Sequence, residues 1–313
     1  MEESVKAKSL HKKSKREGYM IFLYALPTII FVFIFSYLPL RGWIYSIYNY
    51  QPGLPISECE FVGMKYFTKL FSNPVMRMNL FNSLRNTFAM VGLGILTSPL
   101  PMIFAIFLSE MRSKGFKKFV QTVTTMPHFI SWIIMYSLVF SMLNVNNGFV
   151  NTLLVQMGVI EEPVNFLASQ KHVWITMKGY ELWKELGWSA IVYLAAIAGI
   201  DQELYEAAMV DGANRLQRIW HITVPGMIET FFVLLIMSLG NFLNTGMEQY
   251  YVFQNAMNKD YIQVLDLYVY NIGIGNGQIS YATAIGIMKS LVAVIMFGFV
   301  NWLSKTVRGY SMF

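Results

Sequence analysis

The sequence predicts an all-α polytopic membrane protein with six transmembrane helices. Three observations carry that prediction. Hydrophobic residues make up 55% of the 313-residue chain and charged residues only 13%, whereas soluble domains run at roughly 45–50% apolar and about 25% charged. Several stretches are long and apolar enough to cross a hydrocarbon core of about 30 Å, which takes about 20 residues at 1.5 Å rise. Lys and Arg gather on alternate connections between them. This composition argues against a water-soluble globular enzyme and against disorder along most of the chain. A single cysteine, Cys59, excludes an internal disulfide framework. The net charge of +6 sits where topology signals sit, so no nucleic-acid partner is expected.

The expected spans are, in order, Tyr19–Leu40, Thr87–Ser109, Phe119–Leu143, Trp174–Ile200, Val224–Gly246 and Ala282–Ser304. The first follows a charged tail, is too long for a signal-peptide core and lacks a small-residue cleavage site, so it reads as a retained span. Lys6, Lys8, Lys12, Lys13, Lys15 and Arg16 precede it. Arg112, Lys114, Lys117 and Lys118 follow span two, Arg215 and Arg218 follow span four, and Lys305 and Arg308 follow span six. The opposite side carries only Lys65, Lys69, Arg77, Lys171 and Lys259. Both termini are therefore expected in the cytoplasm, with the basic tail beside anionic membrane lipid. Residues 1–18 form a cytoplasmic tail, 19–304 one membrane domain and 305–313 a second tail. The outer connections are 42–86, 144–173 and 247–281; the first holds a short amphipathic stretch with Phe67, Leu70 and Phe71 that suits an interfacial helix.

The inner loop 201–223 stands apart. It reads as a short helix, a bend and a second short helix. Asp201 caps the first helix, and Glu203 suits the dipole of its first turn. Ala207 and Ala208 give a small-residue face that another backbone can approach closely. Gly212 permits a left-handed residue, and Asn214 caps a second helix bearing Arg215 and Arg218 at i, i+3. Pro225 sits where a new helix begins. Such an element has little reason to project from a membrane unless something docks on it.

Glu206-Ala207-Ala208, three residues, Gly212, nine residues, Ile222, one residue, Val224-Pro225 resembles the EAA motif of ATP-binding-cassette (ABC) importer permeases. The family form has Leu before the Pro. Six identities at this spacing arise by chance on the order of 1 in 10⁵ for a chain this long. Over most of its length the chain is similar to the carbohydrate-importer permeases related to the maltose permeases, and within them to the LplB-type subgroup associated with complex oligosaccharides. Tyr37-Leu-Pro39, Phe61-Val-Gly63, Asn86-Thr87, Pro127-His-Phe-Ile-Ser-Trp132, Trp183–Gly187, Tyr193–Ala196, Ala284-Ile-Gly286, Lys289 and Ser290 carry that resemblance.

The resemblance implies the transmembrane fold of a type I ABC importer in a prokaryotic plasma or inner membrane. It implies a second permease subunit, two cytoplasmic ATPases that hold ATP and Mg, and an extracellular or periplasmic solute-binding protein. A heterodimer is the expected pairing. Glu206, Ala207, Ala208, Asp211, Gly212, Arg215 and Arg218 would form the coupling surface for the ATPase. The chain would be a transport subunit and not an enzyme, binding no cofactor itself, and it contains no phosphate-binding loop of Walker type.

Polar groups at membrane depth point inward more often than outward, and sugars offer hydroxyls and apolar ring faces. Phe129, Ser131, Trp132 and Tyr136 lie in the first turns of span three, where Pro127 and His128 precede or break the helix, and are candidates for the substrate path. Trp132 reads equally as an interfacial belt residue, and His128 as a satisfied interfacial histidine; no metal site is expected. At the start of span four, Lys178–Glu181 and Glu181–Lys184 form i, i+3 pairs. There Glu181, Trp183 and Trp188 either line the outer mouth or simply solvate an exposed turn. Asn241, Asn244, Glu248, Gln249 and Tyr250 cluster near the outer end of span five. Lys289 lies roughly 10 Å below the outer boundary at 1.5 Å per residue, where a lysine costs roughly 2.5–3.5 kcal/mol. Its expected partner is Glu181, Glu185, Glu248 or a group on the second permease. Gly273-Ile-Gly-Asn-Gly277 reads as a flexible outer loop. Rival readings are an importer for a non-sugar solute and a membrane scaffold or sensor that docks an ATPase.

Overall fold

The computed structural model describes residues 18–241 and 243–308. The basic residues from Lys6 to Arg16 and residues 309–313 lie outside the described residues, as do the side chains of Lys305 and Arg308. Among the described residues the structure is helical, with one antiparallel bridge between Tyr48 and Phe61.

The first helix, α1 (Gly18–Ile47), widens into a π turn at Phe33–Tyr37 and tightens to 3-10 geometry from Leu38. None of its apolar window is buried, as suits a helix facing lipid or another subunit. A short helix, α2 (Lys65–Ser72), follows. Of the three apolar residues expected on one face, Leu70 is fully buried in the core while Phe71 stays exposed. Asn73 accepts from the amides of Val75 (3.0 Å) and Met76 (3.1 Å), and Pro74 occupies the first turn, where its missing N–H costs nothing. These two residues start α3 (Pro74–Thr97). The second span therefore begins at Pro74, not at Thr87. It continues past Ser98-Pro99 as α4 (Leu100–Ser109).

Span three departs most from expectation. The stretch Phe119–Leu143 is not one helix: α5 (Lys114–Thr125) gives way to a 3-10 turn at Met126–Phe129, and α6 (Trp132–Leu143) leaves at 103°. Pro127 lacks the N–H an uninterrupted helix needs, and the Ser131 hydroxyl accepts from the Ile134 amide to start α6 afresh. Phe129, Ser131, Trp132 and Tyr136 thus lie at and after the break expected at Pro127 and His128, and the segment is bent there rather than straight.

After α7 (Phe149–Gln156) comes α8 (Val173–Ala198), 26 residues long. It is long enough to cross a membrane but carries Lys178, Glu181, Lys184 and Glu185, and buries Lys178 and Lys184 inside the protein. Two short helices, α9 (Gln202–Val210) and α10 (Arg215–Arg218), form the 201–223 loop. The second is not separate from span five. It runs through a π turn, Ile219–Thr223, into α11 (Val224–Gly240), so Pro225 sits in the first turn after the π turn. The helix ends at Gly240, six residues short of the expected Gly246. Then α12 (Glu248–Phe253), α13 (Lys259–Ile262) and α14 (Leu265–Tyr270) fold back, and α15 (Ile279–Arg308) closes the fold. Among the described residues four helical segments are long and apolar enough to span, and the bent α5–α6 pair makes a fifth if it is counted as one span.

The glycine run after α14 is packed at its start and exposed from Ile274 to Gly277. Asn271–Gly275 forms a π turn, and Gly273 is buried with its α-carbon so close to α15 that a methyl there would lie 2.9 Å from the Ala282 Cβ. Among the described residues the core has three parts. Leu70, Leu265, Tyr281 and Ile285 join α2, α14 and α15. Met90, Met177, Tyr250, Phe253 and Leu267 join α3, α8, α12 and α14. Ala105, Ala190, Tyr193 and Met227 join α4, α8 and α11. Small residues at the last contact let α4 and α8 approach closely, the packing that apolar surroundings favour when lipid supplies no hydrophobic drive.

Candidate functional site

Two places combine chemistry with shape. The first is the 201–223 loop. The Asp201 carboxylate accepts from the Glu203 amide at 3.0 Å, so the loop begins with the expected cap. At the other end of α9, Gly212 adopts φ +81°. Its N–H reaches Met209 O (3.1 Å), and that of Ala213 reaches Ala208 O (2.8 Å). This is the double closure of a Schellman motif, which needs a left-handed residue at that point. One residue on, Asn214 and Gln217 form a reciprocal capping box, with Asn214 Oδ1 accepting from the Gln217 amide at 2.9 Å and Gln217 Oε1 from the Asn214 amide at 2.8 Å. The two caps abut, so the bend has little freedom.

Glu206, Ala207, Asp211, Arg215 and Arg218 are half-buried or exposed on this element. So are large apolar groups: Val210 is 88% exposed and Leu216 and Trp220 are each 67% exposed. The inside of the bend encloses a recess of about 330 Å³ lined by Ala208, Asp211, Gly212, Arg218, His221 and Ile222, among others. Apolar side chains at this exposure beside fixed charges mark a surface made for contact. Arg215 Nε also lies 3.8 Å from Glu110 Oε2 at the end of α4, a link between distant segments that residue spacing does not reveal.

The second place is a pair of cavities between α3, α6, α8, α11 and the 244–270 segment. One, of about 330 Å³, is lined by Gly94, Lys178, Glu181, Glu185, Asn241, Asn244 and Tyr250, among others. The other, of about 760 Å³, is lined by Trp132, Glu181, Glu185, Glu248, Gln249, Asp266 and Tyr270, among others. Glu181, Glu185 and Thr245 line both, so the two carboxylates stand between them. Burial first, then the charges of Glu181 and Asp266, push the Tyr250 phenol up, leaving a neutral hydroxyl beside those carboxylates.

The carboxylates are held from α8 itself and from the break in α5–α6. Lys178 Nζ donates to Glu181 Oε1 at 2.7 Å, as expected. The Glu181–Lys184 pair is not formed. Lys184 instead donates to the His128 carbonyl and lies 3.4 Å from Glu185 Oε1. His128 Nδ1 meets Glu185 Oε2 at 2.7 Å, and its ring stacks on Trp188 with centroids 4.3 Å apart and planes 1° from parallel. His128 thus clasps the broken segment to α8, which goes beyond the satisfied histidine that the sequence suggested. Trp188 is correspondingly committed on one face.

Four other candidates fall outside these two cavities. Trp183 is exposed away from them, Phe129 is 74% exposed, Ser131 caps α6, and Tyr136 packs edge-on to Phe253. Gln249 lines the larger cavity but is buried and donates to Met177 O at 2.6 Å, so its amide is already engaged. Asn241 Nδ2 donates to Met237 O at 3.2 Å. Trp132, Glu181, Asn244 and Glu248 remain on the cavity surface, and the Lys184 ammonium lies 5.6 Å from the Trp132 ring centre. Carboxylates and an aromatic face at one cavity suit hydroxyl donors carried on apolar ring faces.

The Lys289 expectation is corrected. Its ammonium pairs with Asp266 of α14, not with Glu181, Glu185 or Glu248, and both groups line a further cavity of about 750 Å³. Removing one partner of this half-buried pair leaves the other partly uncompensated, at a cost below the ~3–5 kcal/mol of a fully buried pair. Lys289→Met is therefore expected to lower the thermal stability of the detergent-solubilised protein, and Lys289→Met with Asp266→Leu to recover most of it. An unchanged melting temperature in the single variant would remove the structural role from this pair.

Comparison with known proteins places the overall fold and the family of the chain. The family model described as "Binding-protein-dependent transport system inner membrane component" matches residues 97–309. The chain is 40% identical over 305 residues to the polygalacturonan/rhamnogalacturonan transport system permease protein YteP of Bacillus subtilis (strain 168), covering 95% of this chain and 93% of that one. It is 39% identical to the protein LplB of the same organism, covering 93% and 90%. Among solved structures, a chain of a bacterial alginate ABC transporter, in complex with an alginate pentasaccharide-bound periplasmic protein, superposes with a TM-score of 0.84 at 32% identity, covering 96% of this chain and 99% of that one.

Proposed function

This chain belongs to the family of binding-protein-dependent transport system inner membrane components, and from that membership we infer that it is the permease subunit of an ATP-driven carbohydrate importer. It is a transport subunit and not itself an enzyme. The observation that carries the saccharide reading is the similarity, along nearly the whole chain, to a permease named for polygalacturonan/rhamnogalacturonan transport and to a chain of an alginate transporter. The imported solute is an oligosaccharide delivered by a solute-binding protein on the outer face.

The chain forms half of the pathway, with six spans and both termini in the cytoplasm of a prokaryotic cell, and a second permease forms the other half. The sixth crossing is α8, whose charges are paired within the protein and therefore need not face lipid. Two ATPases, which hold ATP and Mg, seat on the 201–223 loop. Glu206, Ala207, Ala208, Asp211, Gly212, Arg215 and Arg218 form the docking surface together with exposed Val210 and Leu216. Closure of the ATPases moves this loop as a lever, and the central cavity changes the side on which it is open. Glu181, Glu185 and Glu248 accept hydrogen bonds from sugar hydroxyls while Trp132 offers a ring face.

Purified in mild detergent, the tagged chain is expected to carry a second permease and two ATPase chains by native mass spectrometry. A glycan-loaded binding protein is expected to stimulate its ATP hydrolysis. A complete complex that responds to no saccharide would favour a non-sugar solute; a lone or self-paired chain would favour the scaffold reading. Within a responding complex, Trp132→Ala should lower uptake on the order of tenfold, because an aromatic face in a cavity contributes about 1–1.5 kcal/mol. Trp132→Phe should retain most uptake. Equal uptake in wild type and Trp132→Ala would take Trp132 out of the path.

A further inference from the structure

Hydroxyls on this protein's helices mostly turn back to their own backbone. Thr87 donates to Ser83 O, Thr97 to Leu93 O, Thr125 to Gln121 O and Thr283 to Ile279 O, each at 2.7–2.8 Å. This is the ordinary local solution for a helical threonine. Thr223 is placed differently. It is 2% exposed at the end of the π turn Ile219–Thr223, and its Oγ1 lies 2.9 Å from the phenol oxygen of Tyr205, 18 residues earlier on α9.

That bond spans the two arms of the 201–223 loop. Most of α9 is exposed; Tyr205 and Ala208 alone are half-buried. Ile200, just ahead of α9, packs so near Gly226 that a methyl on Gly226 would lie 2.6 Å from its Cδ1. The docking helix is therefore fastened to the first turn of span five at two points, one polar and one apolar. One turn beyond Thr223, Met227 is fully buried against Ala105 of α4 and Ala190 and Tyr193 of α8. The same α8 carries Glu181 and Glu185 between the cavities. A contiguous packed route thus runs from α9 through Tyr205, Thr223 and Met227 to the cavity walls.

The wide π turn at the fastening point matters too. A π turn inserts one extra residue into a helix and is a common site of functional adjustment. Without a cross-link from α9, displacement of the docking helix could be absorbed by that turn before reaching α11.

We propose that Tyr205 is a positioning residue for coupling: its hydroxyl, bonded to Thr223, fixes the docking helix to span five, so that movement of the loop becomes movement of the cavity walls. The proposal rests on the transport reading above. It predicts that the pair governs how much transport each hydrolysed ATP produces, and not whether the complex assembles or hydrolyses ATP.

The test uses the complete complex in proteoliposomes, with loaded binding protein, and reads ATP hydrolysed per saccharide taken up. Loss of one buried hydrogen bond of ordinary strength corresponds to about a fivefold change in an equilibrium. Tyr205→Phe and Thr223→Val should each raise the ratio about fivefold, with the ATPase rate within about twofold of wild type. The double variant should be no worse than either single one, because both remove the same bond. Thr223→Ser keeps the hydroxyl and should restore the wild-type ratio.

An unchanged ratio in Tyr205→Phe, or a double variant whose effect is the product of the two single ones, would overturn the proposal. So would failure of Thr223→Ser to restore coupling when the complex purifies intact. A wild-type complex that hydrolyses ATP and takes up no saccharide would overturn the transport reading, and this inference with it. That outcome is recognised in wild type before any variant is compared.

Discussion

Replacing Gly212 with proline is expected to abolish saccharide uptake while the protein still inserts and keeps its melting temperature. The backbone there sits at φ +81°, whereas proline is held near −65°. The substitution also removes the N–H that reaches Met209 O. Both closures of the Schellman motif fail together, and the capping box that starts at Asn214 loses its register. The damage stays local because the bend is exposed and its residues take no part in the three core clusters. Gly212→Ala should be milder, since a left-handed alanine costs roughly 1–2 kcal/mol and no hydrogen bond. Uptake in proteoliposomes and co-purification of the ATPases read the two effects separately. The same assay of Glu206→Lys, which reverses a charge on the exposed face of α9, should lose ATPase binding with the bend intact. Wild-type uptake from both Gly212→Pro and Glu206→Lys would remove the docking role from this loop.

The largest structural effect is expected at Gly187. A methyl placed there would lie 2.2 Å from the Thr124 carbonyl oxygen and 2.4 Å from its carbon. Those are backbone atoms of α5 and cannot rotate away, so α5 and α8 would have to separate. Separation would also pull His128 from Glu185 and Trp188. Overpacking of this kind costs typically about 1–3 kcal/mol for a small increment, and Gly187→Val should exceed that and block recovery of the folded protein. Gly187→Ala should give a measurable drop in melting temperature. Gly179, on the same helix, has open space where a methyl would go, with nothing within 4 Å. Gly179→Ala should therefore be neutral or slightly stabilising, because alanine is the better helix former. If both alanine variants melted alike, the close approach at Gly187 would not be a constraint on the fold.

The two sites differ in how far the sequence anticipated them. In the 201–223 loop, Asp201, Gly212 and Asn214 do what their residue types suggest, because each acts on backbone groups within a few positions. In the cavity, Lys178–Glu181 was foreseeable for the same reason. His128–Glu185, by contrast, joins residues 57 apart, and Lys289 meets Asp266 rather than any of the acids expected. Span boundaries moved where hydropathy is a weak guide. Asn73-Pro74 begins a helix in a polar stretch, and Pro127 breaks one inside an apolar stretch.

The sequence by itself determined that this is a helical membrane protein with a capped helix–bend–helix loop at 201–223. Apolar length and local backbone capping are encoded by neighbouring residues, and neighbours are what a sequence displays. Only the tertiary structure decided which charge meets which, where span three breaks onto α8, and that Gly273 is packed rather than free. Those outcomes depend on the directions of helices packed against one another. In an interior that cannot leave a charge unpaired, that packing selects the partner, and spacing along the chain does not carry it.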